Sequence, residues 1–137
     1  AEPGAFGTNL SVGGITEADV LLGDRFRLGT ALLEVSQPRL PCWKIEHRFG
    51  RKGMVGKIIR TARCGWYFRV IRPGTAQAGD TLDLVETGRT AWTVSEVFSE
   101  IANPKAATTV ARLAAMAASE ILSPSWREGA RQKAAAL

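Results

Sequence analysis

The hydrophobic period of this chain changes once and does not change back. Up to Glu86, apolar and polar residues alternate over short runs; beyond Thr87-Gly88-Arg89 the apolar residues recur three and four apart. A period of two places side chains on alternate faces of a strand, and a period near 3.6 places them on one stripe of a helix. A chain of 137 residues is long enough for one sizeable core, so sheet and helices must share it. The sequence thus reads as mainly β over residues 1–88, with short helical insertions, followed by a C-terminal helical region over residues 89–137.

Within the first part, Arg25-Phe26-Arg27-Leu28 and Ala31-Leu32-Leu33-Glu34-Val35 flank Gly29-Thr30 and predict a hairpin. Residues 65–71, Gly-Trp-Tyr-Phe-Arg-Val-Ile, are aromatic and β-branched and stop at Arg72-Pro73-Gly74, which predicts a strand buried on at least one face. Residues 81–86 alternate again, and Gly23-Asp24 and Gly79-Asp80 each introduce a strand, a hint of related turns. Two short helices interrupt the β pattern. Residues 43–49 end at Gly50, and Met54, Val55, Ile58 and Ile59 form a stripe that ends near Arg63.

In the second part, Val94, Val97, Phe98 and Ile101 make a helical stripe that stops before Asn103-Pro104. The alanine-rich residues 105–122 put Val110, Leu113, Ala114, Ala117 and Ile121 along one face. Ser123 then reads as an N-cap ahead of Pro124, starting a last helix toward Arg131. This tail packs on a partner surface, either the sheet or a second copy.

Composition narrows the function classes. Apolar residues make up 45% and charged residues 23%, values typical of a soluble globular protein, and no apolar run reaches the ~18 residues a membrane span needs. Ala1-Glu2-Pro3-Gly4 has neither the charged start nor the apolar stretch of a signal peptide. Two cysteines, Cys42 and Cys64, and one histidine, His47, make neither a disulfide framework nor a zinc-ligand set. A reduced, cytoplasmic protein is the expectation.

The net charge is +5, and the excess is concentrated: Arg39, Lys44, Arg48, Arg51, Lys52, Lys57, Arg60 and Arg63 lie within 25 residues opposed only by Glu46. A local field of that sign favours an anionic ligand. No nucleic-acid motif accompanies it, so a small phosphorylated ligand is the better match.

Inside this run, Pro38-Arg39-Leu40-Pro41-Cys42-Trp43-Lys44 holds the thiol of Cys42 outside regular structure on its N-terminal side. Cations on both sides, and the start of a predicted helix after it, favour thiolate over thiol. A thiolate attacks electrophiles, carries sulfur or binds a soft metal. The plainer alternative is a small buried hydrophobe at a strand end. Cys64, just before a strand, reads as packing. His47 reads as a solvated helix residue more readily than a catalytic one.

The collinear order of these segments is more specific than any one of them. Gly4-Ala5-Phe6-Gly7-Thr8-Asn9-Leu10-Ser11-Val12 precedes Asp19-Val20-Leu21-Leu22-Gly23-Asp24, then Leu33-Glu34-Val35-Ser36-Gln37-Pro38-Arg39 and Pro41-Cys42-Trp43-Lys44. This order resembles the MOSC domain, shared by molybdenum cofactor sulfurases and amidoxime-reducing enzymes. Arg48-Phe49-Gly50, Gly65-Trp66-Tyr67, Ala78-Gly79-Asp80 and Leu122-Ser123-Pro124-Ser125-Trp126-Arg127 are similar to its bacterial hydroxylaminopurine-reductase branch.

The resemblance implies a MOSC-type β-barrel and a molybdenum cofactor (molybdopterin), with Cys42 as catalytic residue and metal ligand; the family's association with pyridoxal phosphate goes with it. Arg39, Asn9 and Lys44 are the implied cofactor-binding residues. The implied activity is reduction of N-hydroxylated substrates, hydroxylaminopurine or amidoxime, with electrons from a separate reductase. Two alternatives stand beside it: a sulfur, persulfide or cofactor carrier acting through Cys42, and a non-catalytic basic anion-binding module. No stretch matches the family's N-terminal His-Gly-Gly segment, so a shortened barrel is expected, with an exposed sheet edge that a homodimer partner would cover. Neither membrane nor nucleic acid is expected as a partner.

Overall fold

The computed structural model describes residues 13–41 and 52–137. Among these, four strands form one antiparallel sheet: β1 (Arg25–Leu28), β2 (Ala31–Pro38), β3 (Trp66–Arg72) and β4 (Leu82–Glu86), in the order β3-β2-β1-β4. Helix α1 (Met54–Thr61) lies between β2 and β3, and α2 (Val94–Ala102), α3 (Val110–Ala118) and α4 (Pro124–Ala135) follow the sheet. The change of period after Glu86 is therefore the change from sheet to helices. The barrel expectation is not met by these elements: β3 and β4 are the two edges of an open sheet.

Local chemistry explains the turns. The predicted hairpin forms with Leu28 paired to Ala31, and Gly29 takes φ 59°, the positive value glycine supplies in a two-residue loop. A Cβ there would stand 2.1 Å from the carbonyl oxygen of Thr75, which accepts the Thr30 N–H. The two Gly-Asp turns also prove alike. Asp24 donates its N–H to Leu21 O and accepts the Leu21 N–H on Oδ2; Asp80 does the same with Gln77. Asp19 and Thr16 make the identical reciprocal pair with no glycine between them, so aspartate is the element common to all three.

The sheet has two chemically different faces, and its register builds both. On one face Val70, Leu33, Phe26 and Leu84 form a row across all four strands. The central pair is buried, Phe26 packing with Val20 and Val94, while Val70 and Leu84 at the edges are 58% and 52% exposed. On the other face the row reads Arg69, Glu34, Arg25, Glu86, alternating in sign. Glu34, buried at 2% exposure, accepts from Arg25 at 2.8 Å and Arg69 at 2.9 Å, and Arg89 joins it from the turn after β4. Oppositely charged cross-strand neighbours of this kind stabilise the pairing.

The helices bury a separate cluster around Leu22, Val97, Phe98, Leu113, Met116, Leu122 and Trp126, with Ile58 and Ile59 of α1 against it. Thr93 and Thr109 cap α2 and α3 through their hydroxyls. Two sequence expectations need adjustment here. On α3 the buried pair is Leu113 and Met116, while Val110 is 51% exposed and Ala114 also faces outward. Methionine at i+3 fills the core position that the alanine pattern obscured. The last helix continues past Arg131 to Ala135.

Candidate functional site

The site is built where β2 ends and β3 begins. The ladder runs from Pro38 opposite Trp66 one step further, the Arg39 N–H donating to Gly65 O at 3.1 Å. On the other side of this junction α1 closes at Ala62 with φ 56°, an unusual value for a residue with a side chain, and Gly65 follows at φ 77°. Those two left-handed residues swing the chain from helix into strand and set Arg63 and Cys64 beside the Arg39 segment. The backbone N–H of Gly65 is held by Glu17 Oε1 at 2.9 Å.

Cys64 sits at the seam of the molecule, touching both apolar clusters. Burial, with the Glu17 charge adding to it, pushes its thiol up to about 12, and Sγ donates to Gly65 O at 3.1 Å. At neutral pH it is a protonated, packed thiol, so it is neither nucleophile nor metal ligand. This agrees with its reading from sequence.

The charges around the junction differ from those around the buried carboxylates. Among the described residues Arg39, Lys52, Lys57, Arg60 and Arg63 make no ion pair, whereas Arg25, Arg27, Arg69, Arg89, Arg112 and Arg131 all do. Arg39 is half-buried, its backbone tied and its guanidinium without an ion pair among the described residues. Nearby, the indole Nε1 of Trp66 is buried without a hydrogen-bond partner among the described residues. Trp66 packs edge-to-face with Phe68 at 6.2 Å, and its unmatched N–H carries no sequence signal.

Of the residues expected at the site, Arg39 is the one the structure describes. Cys42, Asn9, Lys44 and His47 lie outside the described residues. No group of three or more His, Cys, Asp or Glu among the described residues is arranged to hold a metal, and no described helix is long and apolar enough to cross a membrane.

The family model for the MOSC domain matches residues 1–83. The chain belongs to the MOSC family. YflK of Bacillus subtilis is 40% identical over 129 residues, which are 94% of this chain and 58% of YflK. A protein from Gibberella moniliformis named as a reductase is 41% identical over 95 residues, 69% of this chain and 17% of that one. The crystal structure of YiiM from Geobacillus stearothermophilus superimposes with a TM-score of 0.86 at 36% identity, covering 98% of this chain and 68% of that one. The chain thus spans little more than half the length of YflK. In MOSC terms, the described sheet and the helices after it reproduce the corresponding part of YiiM.

Proposed function

We propose that this chain is part of a MOSC-type oxidoreductase in which Cys42 ligates the molybdenum of a pterin cofactor and N-hydroxylated compounds of the hydroxylaminopurine or amidoxime kind are reduced. The observation that carries the reading is the contrast between the two thiols. Cys64 is locked as a protonated packing group, while Cys42 follows the last strand residues of β2 between Arg39 and Lys44. Soft sulfur suits a soft metal, which leaves Cys42 as the chemically suited ligand.

The described residues fit such a group. Its phosphate end requires donors and positive charge, and the half-buried Arg39, with no ion pair among the described residues, would bind it, with Lys44 and Asn9 as further contacts. When bound, the cofactor supplies two-electron chemistry, an N–OH group taking two electrons and two protons to become N–H and water. The electrons would come from a separate reductase, and the unpaired cations at this end raise the local concentration of any anionic reactant. The reductase name of the Gibberella relative points the same way. On this reading the open sheet is the described part of a MOSC barrel, residues 1–88 form the cofactor-binding unit, and residues 89–137 buttress it.

The test is metal content. Mass spectrometry of purified protein is expected to find molybdenum in the wild type and in Cys64→Ser, little in Arg39→Gln, and none in Cys42→Ser. Equal molybdenum in wild type and Cys42→Ser would falsify the ligand assignment. Sulfane sulfur on Cys42 without molybdenum would instead favour the persulfide carrier, and neither would leave the anion-binding module.

A homodimer belongs to the same proposal, through the alanine face of α3 and α4. Ala114, Ala117, Ala118, Arg131 and Ala134 line a shallow hollow there. Because Leu113 is fully buried, a change at that position would test folding, so Ala114→Glu is the appropriate probe. Sedimentation is expected to show a dimer that this change dissociates; a monomer at all concentrations would sink the idea.

A further inference from the structure

Helix α1 turns its cations to solvent with no acid to answer them. Between Glu46 and Asp80 the chain has no acidic residue, and Lys52, Lys57, Arg60 and Arg63 are all exposed. None of the four makes an ion pair among the described residues. Lys57 and Arg60 are three apart in the helix, so they share a face, where like charges repel. A Cβ on Gly56 would stand 3.3 Å from Arg60 Nη1, so the guanidinium lies back over bare backbone beside Lys57. A glycine inside a helix weakens it, and so does an uncompensated pair of cations. Both features work against folding, and both leave an accessible, positively charged surface.

The composition of that surface selects among anionic partners. Ile58 and Ile59 pack inward against the helical cluster, so α1 has no apolar face left to lay into a bilayer. No residue from Lys52 to Arg63 is aromatic, so nothing there offers the stacking that single-stranded nucleic acid uses. A helix of eight residues is about 12 Å long, the scale of a small, charge-steered contact between proteins. Position adds the purpose. The Arg39 N–H donates to Gly65 O at 3.1 Å, so the segment leaving α1 adjoins the strand end that leads on to Cys42. Cys42 follows Arg39 by three residues, a reach of at most about 11 Å. Leu40, 61% exposed, adds apolar surface on the same strand end.

We propose that the outer face of α1, Lys57 and Arg60 flanked by Lys52 and Arg63, is the docking surface of the electron donor. That donor is a one-electron carrier protein with an acidic face around its redox group. The assignment rests on the reductase reading above and names its partner. Each docking oxidises one reduced carrier by one electron. Two such transfers, with two protons from solvent, break the N–O bond and leave N–H and a water molecule.

An acidic, FMN-containing flavodoxin titrated into the isotope-labelled chain tests the surface by amide NMR. The Lys57, Arg60 and Arg63 amides are expected to shift and saturate, while the Arg112 amide of α3 stays in place. Affinity is expected to fall about tenfold between ~20 mM and ~200 mM salt. Lys57→Glu combined with Arg60→Glu is expected to weaken binding by about tenfold or more. Arg72→Glu combined with Lys105→Glu makes the same change in net charge at two other exposed cations, and is expected to weaken it less than about twofold. Should the first variant not fold by circular dichroism, Lys57→Gln with Arg60→Gln replaces it, with an expected loss of about threefold. Absent α1 shifts, or equal losses in the two charge-matched variants, would overturn the proposal. So would phosphatidylglycerol vesicles or a single-stranded oligonucleotide binding more tightly through the same amides. None of these measurements requires molybdenum. A chain that binds flavodoxin through α1 but holds no metal fails the cofactor reading alone; one that holds metal and ignores flavodoxin fails only here.

Discussion

The cations of this protein fall into two populations that the net charge does not distinguish. In the sheet and its helical layer most face acceptors: Arg25, Arg69 and Arg89 surround Glu34; Arg112 holds Glu100 with two nitrogens at 2.7 and 2.8 Å; Lys133 donates to the terminal carbonyls of α2 at Glu100 and Asn103, while Arg72, Lys105 and Arg127 make no ion pair among the described residues. Around the β2–β3 junction, Arg39, Lys52, Lys57, Arg60 and Arg63 make no ion pair among the described residues. The first population is structural, because each buried carboxylate would be costly without its partners. The second contributes little to folding and is available to a ligand. Charge density alone therefore does not mark a site; unpaired charge density does.

The sharpest way to break this contrast is at its most buried carboxylate. Glu34→Gln leaves three guanidiniums facing one another without the counter-charge, and is expected to lower unfolding free energy by about 3 kcal/mol, read from urea denaturation. A loss well under ~1 kcal/mol would mean the network is ornamental and the two populations are alike. Glu100→Gln comes next, at about 2 kcal/mol, since it weakens the paired hydrogen bonds from Arg112 while leaving much of the shape.

Glu100 also predicts a pH dependence. Burial raises its pKa, but the hydrogen bonds from Arg112 and Thr108, with the charges of Arg112 and Lys133, outweigh it and hold the carboxyl below the ordinary 4.5. A depressed folded value means that the stabilisation is fully present above about 4.5 and is lost as pH falls through the lower folded value. Acid titration of stability should show this component in the wild type and not in Glu100→Gln. A wild-type curve identical to that of the variant would remove Glu100 from the structural population.

Smaller effects sharpen the other side. Lys57→Gln and Arg60→Gln should each change stability by less than about 0.5 kcal/mol while weakening anion binding at the junction. A destabilisation comparable to that of Glu34→Gln would show that these cations have structural partners after all. The two thiols give the mildest test, with no change in stability: iodoacetamide at neutral pH is expected to modify Cys42 and spare Cys64, whose thiol is held protonated by burial. Peptide mass spectrometry decides it, and equal labelling would remove the distinction on which the ligand assignment rests.

Much of this architecture was legible in the residues, because it depends on neighbours along the chain. The hairpin at Gly29-Thr30, the helix from Met54, the stripe of Val94, Val97 and Phe98 and the stop at Asn103-Pro104 follow from local periodicity and turn chemistry, and all form where the pattern places them. The Pro-Cys segment, and its place in a MOSC order of motifs, were likewise visible in sequence alone. What only the tertiary structure decided is register and pairing. That Arg69, Glu34, Arg25 and Glu86 align in one row depends on three strand pairings at particular offsets, between residues up to 61 positions apart for Arg25 and Glu86. For Cys64 the sequence already pointed to packing, but its contact with both apolar clusters and the burial that holds its thiol protonated are set by the tertiary structure. Local chemistry is written residue by residue, whereas desolvation and ion pairing depend on which distant side chains the fold brings within a few ångströms.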